Sequence, residues 1–458
     1  HFTSPIRRVA DFMIHTVISE LNDFDYSKES IDNLENELNE ISKSASKLEK
    51  IDFDMENEGK AMAMAEYMEN HIGDRFEGIV SHHAAVIDVG GVGIQITIFK
   101  DGHIVTTQHM DIGTIRLYEL LHKPGLTEKA YRNQIEEYIN KKLEVFRALY
   151  LDAELDYIIF MNDYGINFIN GMELDVKGDN LIKTEKFVKY LVKLSKNAKE
   201  DIIDELNLTN DKSNLIIPSI ILFKALATNL TAKEVWIPGV NVNDGIAFDY
   251  ADRNKLLKGF HNFDEDVITA ALAMSEHYNS YSTHIEALTK LTVQVFDAIK
   301  RTHGLGSRQR LLLQVATILH DCGKFVSLSN SAESAYNIIM SSEIIGLTHL
   351  ERQIVALTVL FNSIPLCDYG ELDVDITKED YLIAVKLSAI LRLSNALDQS
   401  HKQKFKNIKI SLREKKMIIS VESFEDISLE QTLFESKTSY FENVFSIKPV
   451  LREKKVMM

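Results

Sequence analysis

The stretch Val86-Ile87-Asp88-Val89-Gly90-Gly91-Val92-Gly93-Ile94-Gln95-Ile96-Thr97-Ile98 carries the fold signal of this chain. An apolar run ends in Asp88, a glycine turn follows, and a second β-rich run starts at Ile94. Glycine allows positive φ and close backbone approach, so such a turn can aim successive N–H groups at a phosphate. An aspartate at the strand end suits a metal-bound water. Ile94–Lys100 alternates as a strand does, and Asp101-Gly102 reads as a hairpin turn before His103–Gln108. Dinucleotide and nucleoside-triphosphate glycine loops open a helix instead. The expectation is strand, glycine turn, strand, serving either as a phosphate cradle or as a plain hairpin.

With 458 residues the chain is long enough for two to four domains. Its two cysteines, Cys322 and Cys367, exclude a disulfide framework and a cysteine zinc site, and fit a reducing cytoplasm. A net charge of -17 argues against general nucleic-acid binding. Lys402 to Lys416 is a local basic stretch that reads as a solvated edge strand. No run is apolar enough to span a membrane; Leu215–Phe223 reads as a buried helix. The chain starts at His1 rather than Met, so the first domain is expected to lack its beginning.

Residues 1–81 are helical in pattern, with Lys60–His71 rich in Ala and Met. Strands at Tyr157–Met161 and Glu234–Ile237 alternate with helices, which indicates an α/β layer. After about Ala251 the pattern turns all-helical: Asp264–Arg301, Arg308–His320, Ser331–Ser341, Leu350–Phe361 and Lys378–Ser400. A hairpin around Glu414-Lys415-Lys416, a helix near Leu429–Ser436 and a strand near Val444–Leu451 close the chain.

The helical part carries His284, His320-Asp321 and Asp398. Imidazole and carboxylate suit a divalent metal, and His-Asp at a helix end can place two ligands on one ion. A buried hydrogen-bonded pair that pins helices is the competing reading. The order His, His-Asp, Asp resembles the HD phosphohydrolase superfamily, whose implied metal ligands are His284, His320, Asp321 and Asp398. Where that superfamily commonly adds histidines, this chain has Glu333 and Asn362, with His349 in a connecting loop.

Taken together, Ala85–Lys100, Asp111–Leu117, Asp321–Phe325 with Ser334–Ile338, Ile390–His401, Gln403–Ile419 and Phe445–Leu451 resemble the exopolyphosphatase/guanosine pentaphosphate phosphohydrolase (Ppx/GppA) family in its long form. The resemblance implies an α/β fold of two actin-like (ribonuclease H-like) subdomains of ATPase type, an all-α HD-like domain, and a small α+β C-terminal tail. The corresponding divisions are 1–83, 84–252, 253–401 and 402–458. It further implies hydrolysis of terminal phosphates of polyphosphate or guanosine pentaphosphate, with Mg²⁺ and a catalytic glutamate. Glu58 is the nearest candidate for that glutamate; Asp88, Gly90, Gly91 and Gly93 are the phosphate-binding candidates. A homodimer is implied, and neither nucleic acid nor membrane is expected as a partner.

The departures from the family pattern are chemical. Its Asp-Ile-Gly-Gly-Gly-Ser-Thr-Glu loop reads Asp88-Val89-Gly90-Gly91-Val92-Gly93-Ile94-Gln95 here, without hydroxyls or carboxylate after the turn. A Gly-Gly-Thr turn is replaced by Asn162–Ile166, and Val240–Gly245 lacks the family's arginine. Thr3–Arg8 resembles a Thr-Ser-Ala-Ile-Arg element only superficially. Phosphoryl transfer depends on positioning and charge neutralisation. Three expectations follow: a working phosphoanhydride hydrolase with a divergent site, a degenerate relative that binds phosphate ligand or protein without turnover, or a metal phosphohydrolase acting from the helical domain.

Overall fold

A computed structural model describes residues 82–121, 127–172, 180–208, 213–240, 242–253, 262–372 and 374–455. Glu58, the helix expected at Lys60–His71 and residues 1–81 of the expected first subdomain lie outside the described residues. The chain divides into two compact units. Among described residues, helix α7 (Val242–Arg253) belongs to one; the elements below belong to the other.

Six strands form the α/β layer: β1 (Ala84–Val89), β2 (Ile94–Lys100), β3 (His103–Met110), β4 (Leu155–Met161), β5 (Leu181–Lys183) and β6 (Ala232–Trp236). Their order is β3-β2-β1-β4-β6-β5. β1, β2 and β3 are consecutive antiparallel neighbours, whereas β4 and β6 continue in parallel. The β2–β3 turn has Asp101 at φ 54 and Gly102 at φ 78, the double positive-φ turn that suits strand twist. β1 therefore lies inside the sheet, and Asp88 sits at its end opposite Gln95 and Met161.

The helices of this layer are α1 (Thr114–Leu121), α2 (Glu128–Tyr150), α3 (Asp163–Gly171), α4 (Thr184–Leu194), α5 (Lys199–Glu205) and α6 (Ile216–Asn229). α2 buries Tyr131, Ile135, Ile139, Leu143 and Phe146, one residue per turn, and Thr127 caps its start by accepting from the Ala130 N–H. Its stripe packs on α6, which is apolar on nearly every side and correspondingly buried. β5 and α4, short and lysine-rich, escaped sequence reading.

The remaining helices are α8 (Phe263–His277), α9 (Ser282–Ala298), α10 (Lys300–His303), α11 (Ser307–Leu319), α12 (Ser331–Ser341), α13 (His349–Ser363) and α14 (Lys378–Asn395). They are followed by β7 (Lys406–Arg413), β8 (Lys416–Ser423), α15 (Ser428–Phe445) and β9 (Lys448–Lys455). β8 and β9 pair in parallel, so α15 is their crossover. Met417, Ile419 and Val421 of β8 join Phe434, Phe441 and Phe445 in the same hydrophobic core as the helices. A fully buried side chain of this size contributes roughly 1.5–3 kcal/mol, so the C-terminal sheet is bound into the helical core. As expected, β7 is a largely exposed edge strand.

Three expectations need correction. The Asp264–Arg301 helix is three helices: Asn279 takes φ 53 and turns the chain after α8, and Ile299, at φ -105 and ψ 15, separates α9 from α10. His349 is not in a loop but opens α13, which Thr348 and Glu351 start with reciprocal capping bonds. The long helix from Lys378 ends at Asn395, and a single tighter turn, Ala396–Asp398, presents Asp398.

Candidate phosphate hairpin and metal centre

The glycine hairpin keeps its expected shape by a different physical route. Gly90, Gly91 and Gly93 are not among the positive-φ glycines. They are needed for close approach: a Cβ on Gly93 would overlap the His109 ring and lie 2.8 Å from the Met110 carbonyl. The hairpin is folded onto the start of α1. Val92 O accepts from Gly113 N (3.1 Å), Gly90 O from Thr114 N (3.2 Å), and Gly91 O from Ile115 N (2.8 Å) and Arg116 N (3.1 Å). These are the N–H groups a helix leaves unpaired at its start, and the groups an anion would use. The Gly90 N–H is also taken, by Gly93 O at 3.0 Å.

Asn162 closes the opposite side. Its amide donates to Val89 O, and its Oδ1 accepts from Tyr164 N at 2.6 Å, capping α3. Asp88 is half-buried, which raises its pKa by desolvation. Mg²⁺ prefers several oxygen ligands and phosphate contacts. One carboxylate beside spent N–H groups does not fit Mg²⁺, so no catalytic step is assigned to that ion at the hairpin.

The helical core brings the other candidates together. His284 lies in the first turn of α9, His320 and Asp321 follow the last residue of α11, and Asp398 ends the turn after α14. His284, His320, Asp321 and Asp398 are 0%, 7%, 8% and 6% exposed. His320 Nδ1 contacts the Thr317 carbonyl at 2.7 Å. A carbonyl only accepts, so Nδ1 carries the proton and Nε2 a lone pair. Burial pushes the His320 pKa down to about 4, so the ring is neutral near pH 7. Yet Nε2 faces Asp321 Oδ1 at 3.3 Å and has no hydrogen bond. Two lone pairs confront each other there without a proton.

His284 repeats this arrangement. Its Nδ1 donates to Asp398 Oδ2 at 2.7 Å, which leaves a buried, unpartnered Nε2. The donor atoms of His284, His320 and Asp321 lie within 4.8 Å of one another. Burial opposes the charge on Asp321, but the Lys324 ammonium, 2.7 Å from Oδ2, helps to hold its pKa low. Burial likewise opposes Asp398, and bonds from His284 and Gln403 outweigh it. Two imidazole nitrogens and one carboxylate, with lone pairs aimed together, fit a divalent cation. Asp398 stands behind His284, since Gln403 N occupies its Oδ1 at 2.9 Å. A carboxylate there fixes the tautomer of a ligating histidine.

Residues 268–438 match the family described as Ppx/GppA phosphatase, domain III. This part of the chain belongs to the Ppx/GppA family. The Aquifex aeolicus Ppx/GppA phosphatase, type II variant, shares 15% identity, with 41% of this chain and 60% of that chain covered and a TM-score of 0.31. An exopolyphosphatase from Cytophaga hutchinsonii shares 14%, covering 39% and 62%, with a TM-score of 0.33. Ribonuclease R 1 of Lactococcus lactis subsp. lactis is 37% identical over 81 residues, 18% of this chain and 10% of that protein. The chain thus spans about three-fifths of those two solved structures and a tenth of that curated relative.

Within the Ppx/GppA part, sequence reading found the four charged or imidazole groups but missed their surroundings. His401 stacks on His284 with centroids 3.8 Å apart and planes 12° apart. Lys324 and Gln403 hold Asp321 and Asp398. The available signal was spacing: His401 N bonds Asp398 O in a turn, so a residue three beyond Asp398 returns to it. A cleft of about 1360 Å³ lies between β3, the end of α2, α8 and α9; none of the candidate site residues line it.

Proposed function

We propose that this chain is a phosphatase of the Ppx/GppA family that works from a divalent-metal centre in its helical, HD-like domain. Its ligands are His284, His320 and Asp321, with Asp398 positioning His284. One observation carries the reading: His320 Nε2 faces Asp321 Oδ1 at 3.3 Å without a hydrogen bond, both buried, beside the orphaned His284 Nε2. A bound divalent ion supplies Lewis acidity and a water of lowered pKa. The chain's own groups do the rest. Thr317 O and Asp398 each engage an Nδ1, so both Nε2 atoms are turned towards the centre. Lys324, half-exposed, sets a positive charge on the solvent side of Asp321, where a phosphate oxygen would approach. The substrate class is polyphosphate or guanosine pentaphosphate, and the glycine hairpin serves as scaffold rather than as active site.

The test is phosphate release from each substrate with Mn²⁺ or with chelator. Release that needs Mn²⁺, vanishes in His320→Ala and persists in Asp88→Asn supports the reading. Release lost in Asp88→Asn but kept in His320→Ala overturns it. The complete burial of His284 favours a second reading, an ion that pins α9, α11 and α14 without turnover. Stoichiometric metal with no release from either substrate would select that one.

A further inference from the structure

The strap between Asp398 and β7 runs over His284. His401 takes φ 54, a left-handed backbone conformation uncommon outside glycine, and lays its ring flat on the His284 ring. Tyr281, itself two-thirds exposed, stands edge-on to the outer side of His401 with centroids 5.5 Å apart. His401 is half-buried whereas His284 is fully buried, so His401 is the solvent-side ring of the stack.

The strap is fastened at both ends. Towards the centre, Gln403 donates twice to Asp398, from its backbone N at 2.9 Å and from Nε2 at 3.1 Å. Towards the tail, Ser400 Oγ donates to Glu430 Oε1 at 2.5 Å and Lys404 Nζ to Glu430 Oε2 at 2.9 Å. Glu430 is 0% exposed, in the first turn of α15. A buried carboxylate persists only when its partners are held in place, so Glu430 and the strap order one another.

We infer that His401 is not a ligand but the closure of the divalent-metal centre, latched from α15 through Glu430, and that it governs how fast an ion enters and leaves. This rests on the reading that His284, His320 and Asp321 hold the ion. A ring stacked flat on an imidazole, with no nitrogen among the converging donor atoms, shields the face of His284 without coordinating beside it.

The experiment loads the full chain with Co²⁺, records its visible absorption, and follows loss of that absorption when excess EDTA is added. His401→Ala is expected to release Co²⁺ about tenfold faster, the factor that loss of one strong aromatic stack gives. His401→Phe, which keeps the stack and removes both nitrogens, is expected to retain slow release and an unchanged spectrum. Glu430→Gln is expected to accelerate release with its Co²⁺ spectrum intact. A His401→Ala rate equal to that of the unaltered chain overturns the inference, as does a changed spectrum in His401→Phe. An unaccelerated Glu430→Gln overturns the latch. Far-ultraviolet circular dichroism confirms that each variant is folded. The underlying metal reading fails separately, if His284→Ala binds Co²⁺ as well as the unaltered chain does.

Discussion

Acid should unfold this protein through His320 before its carboxylates are protonated. In the fold, burial holds the His320 pKa at about 4 against an ordinary 6.5. The unfolded chain therefore binds a proton at this site first as pH falls, and stability is lost between those two values. At pH 5.0 the unfolded imidazole is almost fully protonated and the folded one is not. The difference amounts to about 2 kcal/mol relative to pH 7.5, tending towards roughly 3 below pH 4, at 1.36 kcal/mol per pKa unit. The assay is urea unfolding of chelator-treated protein at pH 7.5 and 5.0, followed by tryptophan fluorescence and circular dichroism. His320→Gln has no imidazole to protonate, so its loss over the same interval should be smaller by about 2 kcal/mol. Equal losses in the two proteins would refute a neutral, buried His320, and with it the claim that its Nε2 offers a lone pair.

Three further outcomes follow from the geometry. Asp398→Asn removes the charge behind His284 and should weaken Mn²⁺ binding roughly 10–100-fold, measured by calorimetry, since outer partners tune ligand basicity. Gly323→Ala would drive a Cβ into Ser331 O and Ala335 N, so α12 must move; the expected cost is about 3 kcal/mol or more in urea melts. His303 is buried, contacts Phe296 O through Nε2 and accepts from Leu305 N through Nδ1; burial lowers its pKa. Its contribution is present above pH 6.5 and declines as pH falls below it, so His303→Gln should flatten part of the acid slope that His320→Gln leaves behind.

Sequence reading reached furthest where a local rule had one outcome. Asp101-Gly102 could turn only one way between alternating strands, and the β1–β2–β3 meander followed. The helices of the C-terminal part were legible from their apolar stripes. Boundaries slipped where a polar residue took an unusual backbone state, as Asn279 does between α8 and α9. β5 was invisible because three residues of strand carry little periodic signal, whereas α4 does show an apolar stripe, Phe187, Leu191 and Leu194, between its lysines and was legible but missed. At the candidate metal centre, residue types and order revealed His284, His320, Asp321 and Asp398. No one-dimensional pattern reveals that Thr317 O fixes one tautomer, or that His401 folds back over His284. At the glycine hairpin, the sequence showed missing hydroxyls but not where the backbone N–H groups were directed.

Those N–H groups bear on any attempt to restore the hairpin's chemistry. The positive end of α1 is already neutralised by three carbonyls of the turn, at 2.8–3.2 Å. Writing the family's Ser, Thr and Glu back at Gly93, Ile94 and Gln95 would return side chains to a helix end that has no charge left to offer. Gly93→Ser would also drive its new side chain into the His109 ring. Restoring a phosphate site would require levering the turn away from α1, a change of backbone and not of side chains. The hairpin is held by a mechanical lock, and point reversions do not open it.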